Sequence, residues 1–166
     1  MLTGGKAIII VGATGSGKST FVKELITPVD VNRLHIYDVN REYFPDEPLS
    51  DFDQFLITAT KLDESVIIFE EATIFFSNRG NDKRMRQLLV GKRHARNIII
   101  LLFHSIRAIP YYIFDLVNFV VLFNTNDEEP IVKEKYELLL PAYQATHGKK
   151  FVWGQPLKNY YKIVAL

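Results

Sequence analysis

One short stretch constrains the fold of this chain more than any other. It has the spacing Gly-x-x-x-x-Gly-Lys-Ser and directly follows an apolar run at residues 7–11. A helical pattern then begins at Lys18 and continues to about Ile26. An apolar run, a glycine loop and a helix in this order predict a strand, a tight turn and a helix, because glycine lets the backbone turn sharply and closely.

The same loop has the chemistry of a phosphate-binding site. Backbone N–H groups of such a loop and the N-terminus of the helix after it face one point, which favours an anion. Lys18 should reach the β- and γ-phosphates of a nucleotide, and the Ser19 hydroxyl should ligate magnesium. We therefore predict that ATP with Mg²⁺ binds here, through Gly12, Ala13, Thr14, Gly15, Ser16, Gly17, Lys18, Ser19 and Thr20.

Four further apolar runs of strand length lie at residues 34–37, 66–69, 98–103 and 117–123. Continuous apolar strands are typical of parallel sheets covered on both faces, so the pattern predicts an α/β fold with a central, mostly parallel sheet. Helices are predicted at 49–58, 82–91 and 128–140, the last ending before Pro141. Strand-like segments at 151–153 and 160–164 could form an edge hairpin. At 166 residues we expect a single domain, 1–166.

Composition excludes several classes of function. The net charge of +1 provides no general attraction to nucleic acid or anionic membranes, so any DNA contact must come from a local patch. Cysteine is absent, which excludes disulfides, thiolate zinc sites and cysteine nucleophiles, and favours an intracellular setting. The N-terminus does not have the pattern of a signal peptide, and no apolar stretch reaches the roughly 18 residues of a membrane span. We expect a soluble protein.

Two carboxylates, Glu70 and Glu71, directly follow the apolar run at 66–69. In a nucleotide hydrolase such a pair can divide two tasks. Glu70 would hold magnesium, directly or through water, and Glu71 would activate the attacking water. Acidic residues at a helix start are also ordinary caps, so the sequence leaves that alternative open.

Two more polar residues end predicted strands. Asp38 begins a polar cluster with Asn40, and it either lies near the site or simply forms a turn. His104 ends the fourth strand, and it either faces the γ-phosphate or is a hydrogen-bonded core residue. Open α/β sheets bind ligands at the carboxyl ends of their strands, which is where both residues are predicted to lie.

Seven of the 20 basic residues lie between residues 79 and 96. They could form a solvated helix face, contact the phosphate backbone of nucleic acid, or include an arginine finger that enters a neighbouring subunit's ATP site. Arg93 and Arg96 stand out for the third role because they lie just before a buried strand.

In order and spacing, five segments resemble the HerA/FtsK superfamily of DNA-pumping ATPases, and in particular the small genome-packaging ATPases of membrane-containing icosahedral viruses. The segments are residues 12–19, 36–43, 69–72, 91–94 and 100–110. Three positions depart from the family pattern. Glu70 replaces the more usual Asp, His104 replaces Gln, and Arg41 stands where the family often has Gly.

The resemblance implies a RecA-like (ASCE) P-loop NTPase core that hydrolyses ATP to move DNA. It also implies that Glu71 is the catalytic glutamate, that His104 is at the sensor position, and that Arg93 is a candidate finger acting in trans. A motor of this kind needs a homo-oligomeric ring, a pentamer or hexamer, with pore contacts expected from residues 76–86. In a virus it would act at a capsid vertex, in the host cytoplasm or in the virion. The alternatives are an assembly ATPase of the filamentous-phage type, a small P-loop nucleotide or nucleoside kinase, and a regulatory nucleotide-binding module.

Overall fold

A computed structural model describes residues 4–43, 51–76 and 79–166 of the chain. The strands in these residues are β1 (Lys6–Val11), β2 (Leu34–Tyr37), β3 (Val66–Phe69), β4 (Ile98–Phe103), β5 (Phe119–Leu122) and β6 (Lys162–Ala165). The α-helices are α1 (Lys18–Ile26), α2 (Phe52–Ala59), α3 (Arg79–Gly91), α4 (Glu129–Tyr136) and α5 (Leu140–Thr146).

The strands form one sheet in the order β2-β3-β4-β1-β5-β6. The first five are parallel, which confirms the predicted α/β architecture. Strands β2, β3 and β4 have the predicted bounds. Every residue of β3 and β4 is buried, as expected for uninterrupted apolar runs. The P-loop after β1, the two glutamates after β3 and His104 after β4 consequently lie at the same carboxyl edge.

Alternate residues of each strand enter two separate apolar cores. In β1, Ile9 and Val11 pack with α2, α3, α4 and α5 on one face. Ile8 and Ile10 pack on the other face, against α1 and the C-terminal segment. Both faces of the central strands are therefore covered, and their polar residues remain only at the strand ends.

The predicted C-terminal hairpin is wrong. Residues 151–153 form no strand, and β6 pairs instead with β5 in the antiparallel direction, with Phe119 opposite Ala165. An uncovered β5 would present unpaired N–H and C=O groups, and β6 satisfies them. Phe151 is used differently. Its ring packs against those of Trp153 and Tyr160, each with its centroid 5.3 Å away.

Helix bounds also differ from prediction. α3 begins at Arg79, about one turn before the predicted start at Asp82. The predicted helix at 128–140 ends as an α-helix at Tyr136. A second helix, α5, begins at Leu140 and continues past the predicted end, with Pro141 in its first turn because proline fits a position whose N–H needs no helical partner. α2 covers most of the predicted 49–58 helix, whose first two residues lie outside the described part of the chain. In that described part, no helix combines the length and apolar character needed to span a membrane.

Candidate nucleotide site

Three glycines shape the loop between β1 and α1. Gly15 and Gly17 have φ angles of 75° and 102°, a region that disfavours side chains. Gly12 has no room for a side chain, because an added Cβ would lie 2.6 Å from both the Phe123 Cβ and the Ser16 Oγ. The Gly-x-x-x-x-Gly-Lys-Ser spacing thus corresponds to a backbone that glycine alone can form without strain.

The start of α1 suits an anionic group. Gly17 caps the helix without a side-chain hydrogen bond, and no acidic residue lies in the first turn. The first N–H groups of a helix have no partner within it, and they carry the positive end of the helix dipole. The Ser16 hydroxyl is buried, and the described residues provide it with no hydrogen-bond partner. These features fit the phosphates of a nucleotide.

Lys18 is 7% exposed and donates to the Gly12 carbonyl at 2.6 Å and the Ala13 carbonyl at 3.1 Å. Burial lowers its pKa to about 8, and the negative charges of Glu70, Glu71 and then Glu42 oppose that shift. The predicted lysine and the predicted acidic pair therefore lie close enough for their charges to interact.

Glu70 is 6% exposed, and the Asn40 side-chain amide donates to its two carboxylate oxygens at 3.0 and 2.8 Å. Burial raises the pKa of Glu70, the Asn40 hydrogen bond opposes this, and the charges of Glu42, Asp38 and Glu71 add to it. A divalent cation would favour its ionised form.

Ser19 in the first turn of α1 and Glu70 after β3 are the side chains here suited to Mg²⁺. Among the described residues, no group of three or more His, Cys, Asp or Glu could hold a metal ion. Mg²⁺ in nucleotide sites usually takes one or two protein oxygens together with phosphates and water, so the residues present fit it. The ion would supply neutralisation of phosphate charge.

The segment after β2 positions Asn40. The two carboxylate oxygens of Asp38 accept the backbone N–H groups of Glu42 and Tyr43, each at 2.8 Å. Asp38 thus forms a turn, which was one of its two predicted roles, and the turn presents Asn40 to Glu70. Tyr43 lies beside Ser19. Burial raises the pKa of the Tyr43 hydroxyl, and the Ser19 hydroxyl opposes that shift.

His104 contacts the second acid of the pair. Its Nε2 lies 2.8 Å from Oε2 of Glu71. The His104 side chain is 45% exposed, so it is not a core histidine, and the Glu71 side chain is 23% exposed. His104, predicted to be at a sensor position, therefore contacts the predicted catalytic carboxylate, a partner that the sequence did not indicate.

Asp127 supports the loop that carries His104, and sequence reasoning missed it. Its carboxylate accepts the backbone N–H of Ile106 at 2.7 Å and of Arg107 at 3.2 Å. The Tyr143 hydroxyl donates to its carbonyl at 2.9 Å. The polar run at 124–127, directly after the last parallel strand, was the signal that could have identified it.

Arg93 and Arg96 lie at the opposite, amino edge of the sheet. Arg93 packs beside Gly5, just before β1, and is exposed. A six-residue strand separates the two edges by about 17 Å, so neither arginine reaches the P-loop of its own chain. Arg96 forms an exposed ion pair with Glu64. No ion pair of Arg93 is found within the described ranges.

The other basic residues divide between structural and exposed roles. Arg86 lies 3.4 Å from the centre of the Tyr112 ring and 3.6 Å from Asp82, whose carboxylate also accepts the Tyr112 hydroxyl. Lys92 is buried. Lys83 remains exposed on α3. Of the predicted pore segment 76–86, residues 77–78 lie outside the described part of the chain.

No protein-family model and no curated protein matches the sequence. Solved structures do match. The genome packaging NTPase of Sulfolobus turreted icosahedral virus 2, in complex with ATP-gammaS, has a TM-score of 0.72 at 15% identity, over 96% of this chain and 91% of that chain. The DNA-packaging ATPase of Sulfolobus turreted icosahedral virus has 0.67 at 17% identity, over 98% of both chains.

A KaiC-like protein of Pyrococcus horikoshii is similar at a TM-score of 0.52 and 12% identity, over 75% of each chain. Identities this low establish the fold alone. The strand order, the P-loop and these neighbours agree, and the chain has the RecA-like fold of P-loop NTPases.

Proposed function

We propose that the chain is a single-domain, ATP-hydrolysing DNA translocase, a subunit of a viral genome-packaging motor of the HerA/FtsK type. The observation that supports this best is that Glu71, held at 2.8 Å by His104, lies at the same edge of the sheet as the P-loop lysine and the buried Glu70. A carboxylate in this position suits activation of water, which favours hydrolysis over transfer to another acceptor.

Each residue has a specific task in this proposal. Residues 12–20 hold the triphosphate of ATP, with Lys18 at its terminal phosphates. Ser19 and Glu70 hold Mg²⁺, Glu70 directly or through water. Glu71 accepts the proton of the attacking water, and His104 orients the Glu71 carboxylate until the γ-phosphate is in place.

The ring and DNA roles have separate support. Arg93 is exposed at the edge of the sheet away from its own P-loop, so as a finger it can only enter a neighbour's site, in a head-to-tail ring of five or six subunits. DNA contacts would come from exposed basic residues of α3 such as Lys83. The packaging NTPases of similar fold support a packaging role. In that role the chain would act at a capsid vertex, in the host cytoplasm or the virion.

ATP turnover measured with and without DNA tests the proposal, for wild type and Glu71→Gln. We expect DNA to stimulate phosphate release, and the substitution to reduce it by about 100-fold or more because the water loses its base. Asp115→Asn, an acidic residue outside the site, is the matched control and should retain turnover. Phosphate transfer to a nucleotide acceptor would instead identify a kinase, and nucleotide binding without turnover a regulatory module.

Subunit mixing tests the role of Arg93. If Arg93 acts across the interface, Arg93→Ala subunits added to wild type should lower activity more than dilution does. Arg96→Ala is the control, because Arg96 is paired with Glu64 in its own chain. Activity strictly proportional to the wild-type fraction would exclude Arg93 as a finger.

A further inference from the structure

A cleft of about 420 Å³ opens beside the P-loop, on the side away from the acidic pair. P-loop residues 13–16 form one wall, and Asn124, Asn126 and residues 149–151 form the other. In the sheet, β3 and β4 lie on one side of β1 and carry Glu70, Glu71 and His104. β5 lies on the other side and leads into the cleft. The cleft and the acidic residues therefore flank the P-loop from opposite sides.

This arrangement gives the bound nucleotide a direction, provided that the proposed function is correct. The terminal phosphate must lie near Glu71, because that carboxylate activates the water that attacks it. The nucleoside then extends away from β3 and β4, over the P-loop and towards β5. The nucleoside would therefore lie in the cleft.

The far wall of the cleft is firmly connected to the P-loop. The Asn124 carbonyl accepts the Ala13 N–H at 2.8 Å, and its side-chain oxygen accepts the Gly148 N–H at 2.8 Å. The Phe151 ring lies over Gly17, where an added Cβ would be 3.2 Å from its Cδ2. The segment at 148–151 is thus positioned with respect to the phosphates before any ligand binds.

The side chains of the wall suit a base and a sugar. Phe151 is half-buried and provides an aromatic surface, and bases stack on such surfaces. Asn126 is exposed, and its amide can both donate to and accept from the polar edge of a base or a ribose hydroxyl. Lys149 and Lys150 add positive charge beside the phosphates. The aromatic surface of Phe151 and the amide of Asn126 are not needed to bind phosphate alone.

We infer that this cleft is the nucleoside subsite, in which Phe151 and Asn126 distinguish a nucleoside triphosphate from inorganic triphosphate. The segment between α5 and β6, which carries no P-loop motif, is then the specificity-determining part of the site.

Parallel kinetics with Mg·ATP and Mg·tripolyphosphate test the inference. For Asn126→Ala and Phe151→Leu we expect KM for ATP to rise by about 10-fold with little change in kcat, since the lost contact is uniform binding. Both constants for tripolyphosphate should stay within about two-fold of wild type. An equal loss for both substrates, or unchanged ATP constants, would overturn the inference.

Two control variants distinguish loss of a contact in the cleft from disturbed packing of the segment around Phe151. Tyr160→Leu removes a ring that packs on Phe151 without lining the cleft, and Asn159→Ala removes an exposed amide outside it. Both should behave as wild type, and a rise in KM for ATP with Tyr160→Leu equal to that with Phe151→Leu would count against stacking.

Calorimetry with the same two ligands compares the affinity for ATP with the affinity for tripolyphosphate, and it does not depend on turnover. A chain that binds ATP more tightly than tripolyphosphate but hydrolyses neither would contradict the proposed function and leave the subsite supported. A chain that binds both ligands equally would contradict the subsite alone.

Discussion

Lys18 and Lys92 are equally buried, each 7% exposed, and each donates to two backbone carbonyls. Their surroundings differ. Lys18 lies at the carboxyl edge of the sheet near Glu70 and Glu71, whose charges favour its ammonium form. Lys92 lies at the amino edge, where burial lowers its pKa and the charge of Arg93 lowers it further.

The comparison separates a buried lysine of the proposed nucleotide site from a structural one. Lys92 joins the end of α3 to the loop before β5 through the carbonyls of Leu89 and Leu116, at 3.0 and 2.8 Å. Lys18 joins only its own loop, to Gly12 and Ala13. Burial is the same for both lysines and does not distinguish their roles. The acidic residues around Lys18 are what indicate a binding or catalytic site.

The largest expected effect is on activity at Lys18. Lys18→Met should reduce ATP hydrolysis by about 100-fold or more, because the terminal phosphates lose their cation. Phosphate release and ATP binding measure it, and circular dichroism should show an intact fold. If Lys18→Met unfolds the chain instead, the contrast with Lys92 disappears.

Lys92→Met should show the reverse pattern. We expect the free energy of unfolding to fall by about 2 kcal/mol, because two carbonyls lose a charged donor. Turnover per folded molecule should remain within about two-fold of wild type. Urea unfolding and phosphate release on the same preparation test this. Lost turnover in a stable Lys92→Met protein would assign Lys92 a function.

Both lysines should make the protein more stable as the pH rises above neutral. Their pKa values are lower in the folded chain than in the unfolded chain, where Lys has 10.5, and that of Lys18 falls to about 8. Between the folded and unfolded values the unfolded state binds more protons, so the free energy of unfolding rises with pH.

For wild type we expect a gain on the order of 1 kcal/mol between about pH 7.5 and about pH 9.5, and a smaller gain for Lys18→Met. Urea unfolding at the two pH values measures it. Equal gains in wild type and Lys18→Met would mean that Lys18 does not have the lowered pKa.

The smallest expected effect is on stability, at two residues with positive φ angles, one at each edge of the sheet. Arg41, at the carboxyl edge, and Arg96, at the amino edge, have φ angles of 55° and 54°, a region that favours glycine. Arg41→Gly and Arg96→Gly should each raise the free energy of unfolding by about 0.5 kcal/mol, since relief of strain exceeds the entropy cost of glycine. Arg41→Ala and Arg96→Ala keep the strain and serve as controls. A loss of stability only for Arg96→Gly would mean that its pair with Glu64 matters more than strain.

Sequence patterns predicted correctly those structural features that depend on one short segment alone. The P-loop geometry and the bounds of β2, β3 and β4 followed from the sequence, because glycine spacing and apolar runs act over a few residues. The tail was mispredicted because the partner of β6 is β5, about 40 residues earlier in the chain.

The candidate site likewise combines residues that local motifs predicted with contacts that they did not. Lys18, Glu70 and Glu71 could be identified from motifs, whereas the contacts of Asn40 with Glu70 and of His104 with Glu71 join segments that only the sheet brings together. Asp127 went unnoticed because its partners, the N–H groups of Ile106 and Arg107, lie about 20 residues before it.

By itself the sequence determined the α/β fold, the phosphate loop and the types of residue at the ends of the strands. These depend on backbone geometry and apolar periodicity within short stretches. The tertiary structure decided which polar residues meet, which of two buried lysines lies among acids, and where a cleft opens beside the P-loop. Strand order places distant segments side by side, and short sequence patterns do not show which segments become neighbours.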